Sequence, residues 1–260
     1  QRQMCIRDRT EVAVPWRLLT RSDFEVVFAT ERGDQPAADP LLLTGVLFGK
    51  LGAEPEARDF YRELAQSPGF KKPLRYADIE PEAYDAMLLP GGHAKGMRQY
   101  LESEALFDRV RAFWKTRKQV AAICHGVVVL ARTIDRETGR SVLFDRRTTC
   151  LPKYMERSAW LSTAWKLGDY YRTYPEYVED EVKRSLSHPE QFIRGPIHLL
   201  AKGTASDDEP AFVVDDGHYL SARWPGDAYL LSKSLIERVI ARKNGRGSFR
   251  GTREAPRRER

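Results

Sequence analysis

Apolar positions along this chain follow two alternating patterns, short continuous runs and longer stretches at helical spacing. Phe24-Glu25-Val26-Val27-Phe28-Ala29-Thr30 predicts a strand, ended by Gly33-Asp34. Tyr84-Asp85-Ala86-Met87-Leu88-Leu89-Pro90-Gly91-Gly92 predicts a buried strand that breaks into a glycine turn. Gln119 to Ile123 predicts a second buried strand, followed at once by a helix from Val127 to Thr133. Arg147-Thr148-Thr149-Cys150-Leu151 reads as another short strand, and Ala211 to Ala222 as a hairpin turning at Asp216-Gly217. Residues 11–20 carry apolar groups at helical spacing, and a helical stretch runs from about Leu41 to Ser67. A surface helix is expected over Leu101–Thr116, helical excursions across Ala159–Gly195, and a closing helix over Asp227–Arg242.

Alternating strands and helices with glycine-rich turns imply an α/β fold, with a mostly parallel sheet covered on both faces. In such folds, sites lie at the carboxyl ends of the strands. Two turns meet that condition, Pro90-Gly91-Gly92-His93 and Cys124-His125-Gly126. Gln1 to Arg9 shows neither strand nor helix periodicity and reads as a non-native extension. Residues 10–242 read as one domain with a covering insertion near 159–205, and 243–260 as a disordered basic tail.

Composition narrows the class. A length of 260 residues with 42% apolar positions suffices for one large core. The formal net charge of +6 would suggest a nucleic-acid partner, but the excess sits in the two tails and the body is slightly acidic. A folded nucleic-acid interface is therefore not expected. The three cysteines, Cys5, Cys124 and Cys150, have no metal-ligand spacing. A sparse, odd set of thiols fits a reducing, cytoplasmic setting. No apolar run approaches the roughly 20 residues of a membrane span, and no secretory h-region is present.

The run Val120-Ala121-Ala122-Ile123-Cys124-His125-Gly126-Val127-Val128-Val129-Leu130-Ala131 places a cysteine between a strand and a helix. Such a turn exposes the thiol at a helix N-terminus, where unpaired N–H groups and the helix dipole favour thiolate. The same triplet equally describes a buried, inert cysteine that begins a helix.

Several segments in the same order add to this triplet: Thr10-Glu11-Val12-Ala13-Val14-Pro15, Leu88-Leu89-Pro90-Gly91-Gly92-His93, and Leu220-Ser221-Ala222-Arg223-Trp224-Pro225-Gly226-Asp227-Ala228. Together they resemble the ThiJ/PfpI family of the class I glutamine amidotransferase-like superfamily, across roughly residues 10 to 240. The long 159–195 excursion is similar to the larger heat-shock chaperone and glyoxalase III branch. The resemblance implies a flavodoxin-like three-layer sandwich. It also implies a first strand of about six apolar residues ahead of the glutamate, where this chain has Gln1–Arg9 instead.

The resemblance assigns Cys124 as nucleophile and Glu11 as the carboxyl group that approaches its sulfur. A carboxyl beside a thiolate is kept protonated by charge repulsion. Without the resemblance, Glu11 reads as a solvated residue in a helix's first turn. His125 would hold the thiolate or carry a proton, or merely pack at the helix start. The family's third acidic member falls on Glu156 by spacing, with Asp145 and Asp169 as competitors. Gly91, Gly92 and Gly126, with the backbone of His125 and the side chain of His93, would form the oxyanion and substrate-binding surface. Trp224 and Tyr170 are candidate wall residues. The late His-x-Glu of glutaminases is absent, which argues against that chemistry.

What the resemblance implies about activity is a cofactor-free, metal-free cysteine enzyme acting on small reactive carbonyls, as glyoxalase III converts methylglyoxal to lactate. An amidase or peptidase-like hydrolase uses the same parts. A holding chaperone or oxidative-stress sensor, in which Cys124 is oxidised without turnover, is the alternative of another class, and a degenerate pseudoenzyme the blandest. The expected partner is a second copy of the chain, with no membrane contact.

Overall fold

A computed structural model describes residues 5–6, 9–38, 55–92, 96–197 and 201–245. The chain enters through a two-residue strand, β1 (Cys5–Ile6), and helix α1 (Arg9–Arg21). Strands β2 (Ala29–Thr30) and β3 (Ala37–Ala38) follow, then α2 (Pro55–Gln66), α3 (Pro68–Lys71) and β4 (Leu74–Arg75). Next come β5 (Ala86–Leu89), α4 (Met97–Leu101), α5 (Glu104–Lys115), β6 (Gln119–Ile123) and α6 (Gly126–Arg132). Helices α7 (Lys153–Leu167) and α8 (Val178–Arg184) precede the hairpin β7 (Val213–Asp216)–β8 (Tyr219–Ala222), and α9 (Ala228–Lys243) closes the sequence of elements.

The main sheet has the order β5-β6-β8-β7, parallel except for the last pair. Its centre is β6, whose five residues are all buried, as a strand covered on both faces requires. Helix α5 covers the sheet with Leu106, Phe107, Val110, Phe113 and Trp114, and starts where Ser103 Oγ accepts from the Leu106 N–H at 3.1 Å. Helix α6 packs against α4, α5 and α8, while α1 packs against α2 and α9.

Four sequence expectations change. Only the last two residues of the predicted strand Phe24–Thr30 pair, and they pair with β4. Arg147–Leu151 forms no strand. Thr148 makes an isolated parallel bridge to Phe192, and the Thr149 N–H donates to Ser221 Oγ at 3.0 Å. This buried extended segment meets its hydrogen bonds with a side chain and one bridge, so alternation alone mistakes it for a strand. Third, Cys5–Ile6, read as patternless, pairs in parallel with Ala37–Ala38. The hairpin turn is Gly217-His218, one residue later than expected, because Gly217 supplies the positive φ of 72° at the first central position. The predicted helical residues 41–54 lie outside the described part.

Beside β5 on the edge away from β6 lies a cavity of about 650 Å³. β5 pairs only with β6 among the described residues. At the opposite side of β6, a buried ion pair fixes the turn after β8. Arg223 and Asp227 are both fully buried, with Nη2 donating to Oδ1 at 2.8 Å and Nε to Oδ2 at 2.9 Å. Arg223 Nη1 also donates to Pro196 O at 2.7 Å, and Asp227 accepts from the Phe212 and Arg223 N–H groups. Among the described residues no helix is long and apolar enough to cross a membrane.

Candidate active site

The central strand β6 ends at Ile123, and its neighbour β8 reaches as far as Ala222. There the Cys124 N–H donates to Ala222 O at 3.0 Å, so the sheet itself holds the cysteine backbone. Cys124 then takes φ = 58°, a left-handed conformation that costs a non-glycine residue about 1–2 kcal/mol. Strain of this kind at a strand-to-helix turn is the geometry of a nucleophile elbow. It turns the chain sharply enough for α6 to start at Gly126, with His125 as N-cap.

Gly126 makes this turn possible. A Cβ there would overlap Leu89 O and lie 2.7 Å from both Leu89 C and Pro90 O. The start of α6 therefore rests directly on the backbone of the β5 turn, which only glycine permits.

Gly91 is the point where the reactive groups meet. A Cβ on Gly91 would lie 2.6 Å from Cys124 Cβ, 2.7 Å from Glu11 Oε2 and 2.8 Å from His125 N. The cysteine, the glutamate and a backbone N–H thus surround one bare glycine, although 80 residues separate Glu11 from Gly91. The Gly91 N–H donates to Glu11 Oε2 at 2.9 Å, which aims the carboxyl group. Glu11 is fully buried in the first turn of α1 beside Val12, Ala13 and Val14. It is not the solvated first-turn residue of the bland reading. His125 is 1% exposed, and its Nδ1 lies 3.5 Å from Cys124 Sγ, within hydrogen-bonding reach of sulfur.

One expectation is reversed at Cys124. Cys124 is only 1% exposed, not an open thiol. The β5 turn and Glu11 of α1 lie close against it. Desolvation of this kind strengthens every charge interaction within the site.

Glu156, the third acidic candidate, makes a contact of its own. It is 1% exposed, and its Oε2 accepts from the Val178 N–H at 3.0 Å, at the start of α8. The charges acting on it are those of Arg172 and Asp180, so it ties α7 to α8. The competitors Asp145 and Asp169 are both exposed, and Asp169 accepts from Trp160 Nε1 at 3.1 Å. Gly92 stands next to Gly91 at the end of β5. His93 lies outside the described residues, as does the side chain of Tyr170. Trp224 is half-buried against Gly226, where a Cβ would meet its ring.

Burial pushes the Glu156 carboxyl up to about 7, against the pull of the Val178 N–H and Arg172. This gives a stability prediction. The folded value lies above the 4.5 of an unfolded glutamate, so the folded protein binds this proton more tightly. The resulting contribution is fully present below the unfolded value and is lost as pH rises through about 7. Glu156→Gln, which can still accept from Val178, removes that dependence. Between acid and neutral pH the difference in unfolding free energy between the two proteins is expected to change by about 3 kcal/mol. Urea titrations across that range test it, and parallel curves would count against it.

Two groups near these sites have no motif of their own. Tyr100, on the buried face of α4, is raised well above its usual value by burial, with the Tyr76 and Glu11 charges adding to the effect. The Glu11 charge thus reaches this phenol, and only the helical spacing of Met97, Tyr100 and Leu101 marks it as inward. Glu179 is buried, yet the Arg194, Lys183 and Lys153 N–H donors outweigh burial and hold it at about 2. No cluster of His, Cys, Asp and Glu able to hold a metal occurs among the described residues.

Comparison with known proteins places the chain in a family. Over 243 residues the chain is 27% identical to Uncharacterized protein C14C4.04 of Schizosaccharomyces pombe, spanning 90% of this chain and 80% of that protein. Over 152 residues it is 30% identical to the Pyridoxal 5'-phosphate synthase subunit PdxT of Bifidobacterium longum, spanning 58% of this chain and 73% of that one. Among solved structures, glyoxalase III from Candida albicans superposes with a TM-score of 0.65 at 18% identity, covering 88% of this chain and 86% of that one. The Rapid Encystment Protein 24 KDa of Francisella tularensis gives 0.63 at 17% identity, with 88% of each chain covered. At such identities these two structures establish a shared fold. The sequence profile of the family described as ThiJ/PfpI family-like matches residues 7–196, and the chain belongs to that family.

Proposed function

We propose that this protein is a cofactor-independent cysteine enzyme acting on small reactive carbonyls, of the glyoxalase III kind, converting methylglyoxal and water to lactate. The observation that carries the reading is the meeting of Cys124, the Glu11 carboxyl and the His125 N–H around Gly91. The fold shared with glyoxalase III from Candida albicans supports it.

In this reading the Cys124 thiolate adds to the aldehyde carbon, and the resulting alkoxide takes a proton to give a hemithioacetal. The His125 N–H, beside Gly91, stabilises that alkoxide as it forms. A carboxylate or imidazole, from Glu11 or His125, then removes the proton from the former aldehyde carbon. Returning it to the adjacent carbon leaves a lactoyl thioester on sulfur. Water cleaves the thioester, releasing lactate and restoring the thiol. Oxygen count and redox state balance, since one carbon is oxidised as its neighbour is reduced. Glu156 has no step in this scheme, because its carboxyl is bound to the start of α8.

The test is lactate formation from methylglyoxal by the unaltered protein without glutathione, run beside protection of a heated client protein from aggregation. Lactate released in many equivalents per protein supports the enzyme. Client protection without lactate overturns it in favour of a holding chaperone. Ammonia released from small amides, again without lactate, makes the protein a hydrolase built from the same parts.

A further inference from the structure

Ionisable side chains gather a second time at the end of β6 opposite Cys124. There the β7–β8 turn meets the start of β6, and the Val120 N–H donates to His218 O at 2.8 Å. The His218 ring stands edge-on to Trp114, with the ring centroids 4.6 Å apart. His218 is 9% exposed, and its Nε2 is buried without a hydrogen-bond partner among the described residues. Gln119 Oε1, on the first residue of β6, is buried and unpartnered as well. Native interiors seldom leave two polar groups unsatisfied in one place.

Three arginines from three separate parts of the chain surround this imidazole. Arg117 follows α5, Arg146 lies between α6 and α7, and Arg242 is in the last turn of α9. Burial, then the charges of Arg146, Arg117 and Arg242, push the His218 imidazole down to about 4. Arg146 lies 5.8 Å from the Trp114 ring centroid and 3.9 Å from Asp216 Oδ2. Arg242 Nη1 donates to Arg117 O, which ties α9 to the end of α5. Neither Arg117 nor Arg242 has a carboxylate partner among the described residues. Asp216 is thus the one described carboxylate that pairs with any of the three, and it also accepts from the Arg147 N–H at 3.0 Å. Two positive charges are left over.

Arg117 also has φ = 55°, the left-handed conformation that a helix end ordinarily gives to glycine. Backbone strain of this kind gathers where a side chain is needed at a ligand site.

We propose that Arg117, Arg146 and Arg242, beside His218, form a binding site for a phosphate group, carried by a small phosphomonoester or present as the free anion. Guanidinium forks match phosphate oxygens, and a dianion balances the two excess charges. The inference concerns the far end of the sheet and stands apart from the chemistry proposed for Cys124.

The test adds inorganic phosphate, and separately glycerol 3-phosphate, to the unaltered protein at neutral pH, against chloride of equal ionic strength. At about 10 mM the better ligand is expected to raise Tm by about 2 °C or more. It should also shift the amide resonances of Arg117, Gly217 and His218. Arg146→Gln and Arg242→Gln are each expected to weaken binding by about tenfold or more. Arg117→Gly should weaken it as much while keeping or raising Tm without phosphate, because glycine takes the left-handed conformation freely. Tighter binding of glycerol 3-phosphate supports an ester as the ligand, and equal or tighter binding of phosphate supports the free anion. If neither probe does better than chloride, or binding survives in all three variants, the proposal is overturned. Resonance shifts confined to other amides overturn it too.

Discussion

Gly126→Ala is expected to destabilise the fold by about 3 kcal/mol, a large effect for a single methyl group. Its φ is not left-handed, so the cost lies in space and not in backbone conformation. The added carbon would overlap Leu89 O and crowd Leu89 C and Pro90 O, all main-chain atoms that no rotamer change can move. Relief requires α6 to lift from the β5 turn, or β5 to slide against β6 and spoil the Leu89–Ala122 pairing. Either movement also opens the contact that brings Gly91 to Cys124. Chemical denaturation should therefore show the lost stability, and the surviving folded fraction should react poorly at sulfur. A variant within 0.5 kcal/mol of the parent, roughly the scatter of neutral surface changes, would refute the close-approach argument.

Cys124→Ser is expected to reduce lactate formation by about 10⁴-fold or more, while stability changes little. The substitution keeps the elbow, the Ala222 hydrogen bond and the buried volume nearly intact. What it removes is an atom that ionises readily. A serine hydroxyl stays protonated near neutral pH unless a strong base takes its proton. The imidazole Nδ1 now 3.5 Å from sulfur is placed for the longer reach of a thiol and not for a shorter oxygen contact. Initial rates of lactate production and a denaturation curve, measured on the same preparation, separate chemistry from folding. Retained turnover in the serine variant would remove Cys124 from the mechanism.

The parts of the fold that were legible in the sequence are those whose burial is symmetrical. Val120–Ile123 and Tyr219–Ala222 are covered on both faces, so each reads as an apolar run and each forms a strand. Phe24–Phe28 has the same alternation but faces a cavity, and periodicity cannot reveal whether a pairing edge has a partner. Thr148 and Thr149 were misread because Ser221 and Gln191 take over hydrogen bonds that a strand would have supplied. Within the site, local motifs singled out Cys124, His125 and Gly91, which the fold brings together. Glu11 is equally well placed, though only the resemblance singled it out. Spacing along the chain selected Glu156, whose carboxyl accepts from the Val178 N–H at the start of α8. Tyr100 carried no motif, since burial of a phenol within reach of the Glu11 charge is an outcome of packing.

The Arg223–Asp227 pair has a consequence for how the cover over the sheet behaves. Pro196 contributes its carbonyl oxygen to Arg223 Nη1, so the covering chain is latched to the turn after β8. Lifting this stretch would strand a buried, charged donor, at a cost of about 1–3 kcal/mol. A change at Asp227 would leave Arg223 without its carboxylate and loosen the Pro196 contact with it.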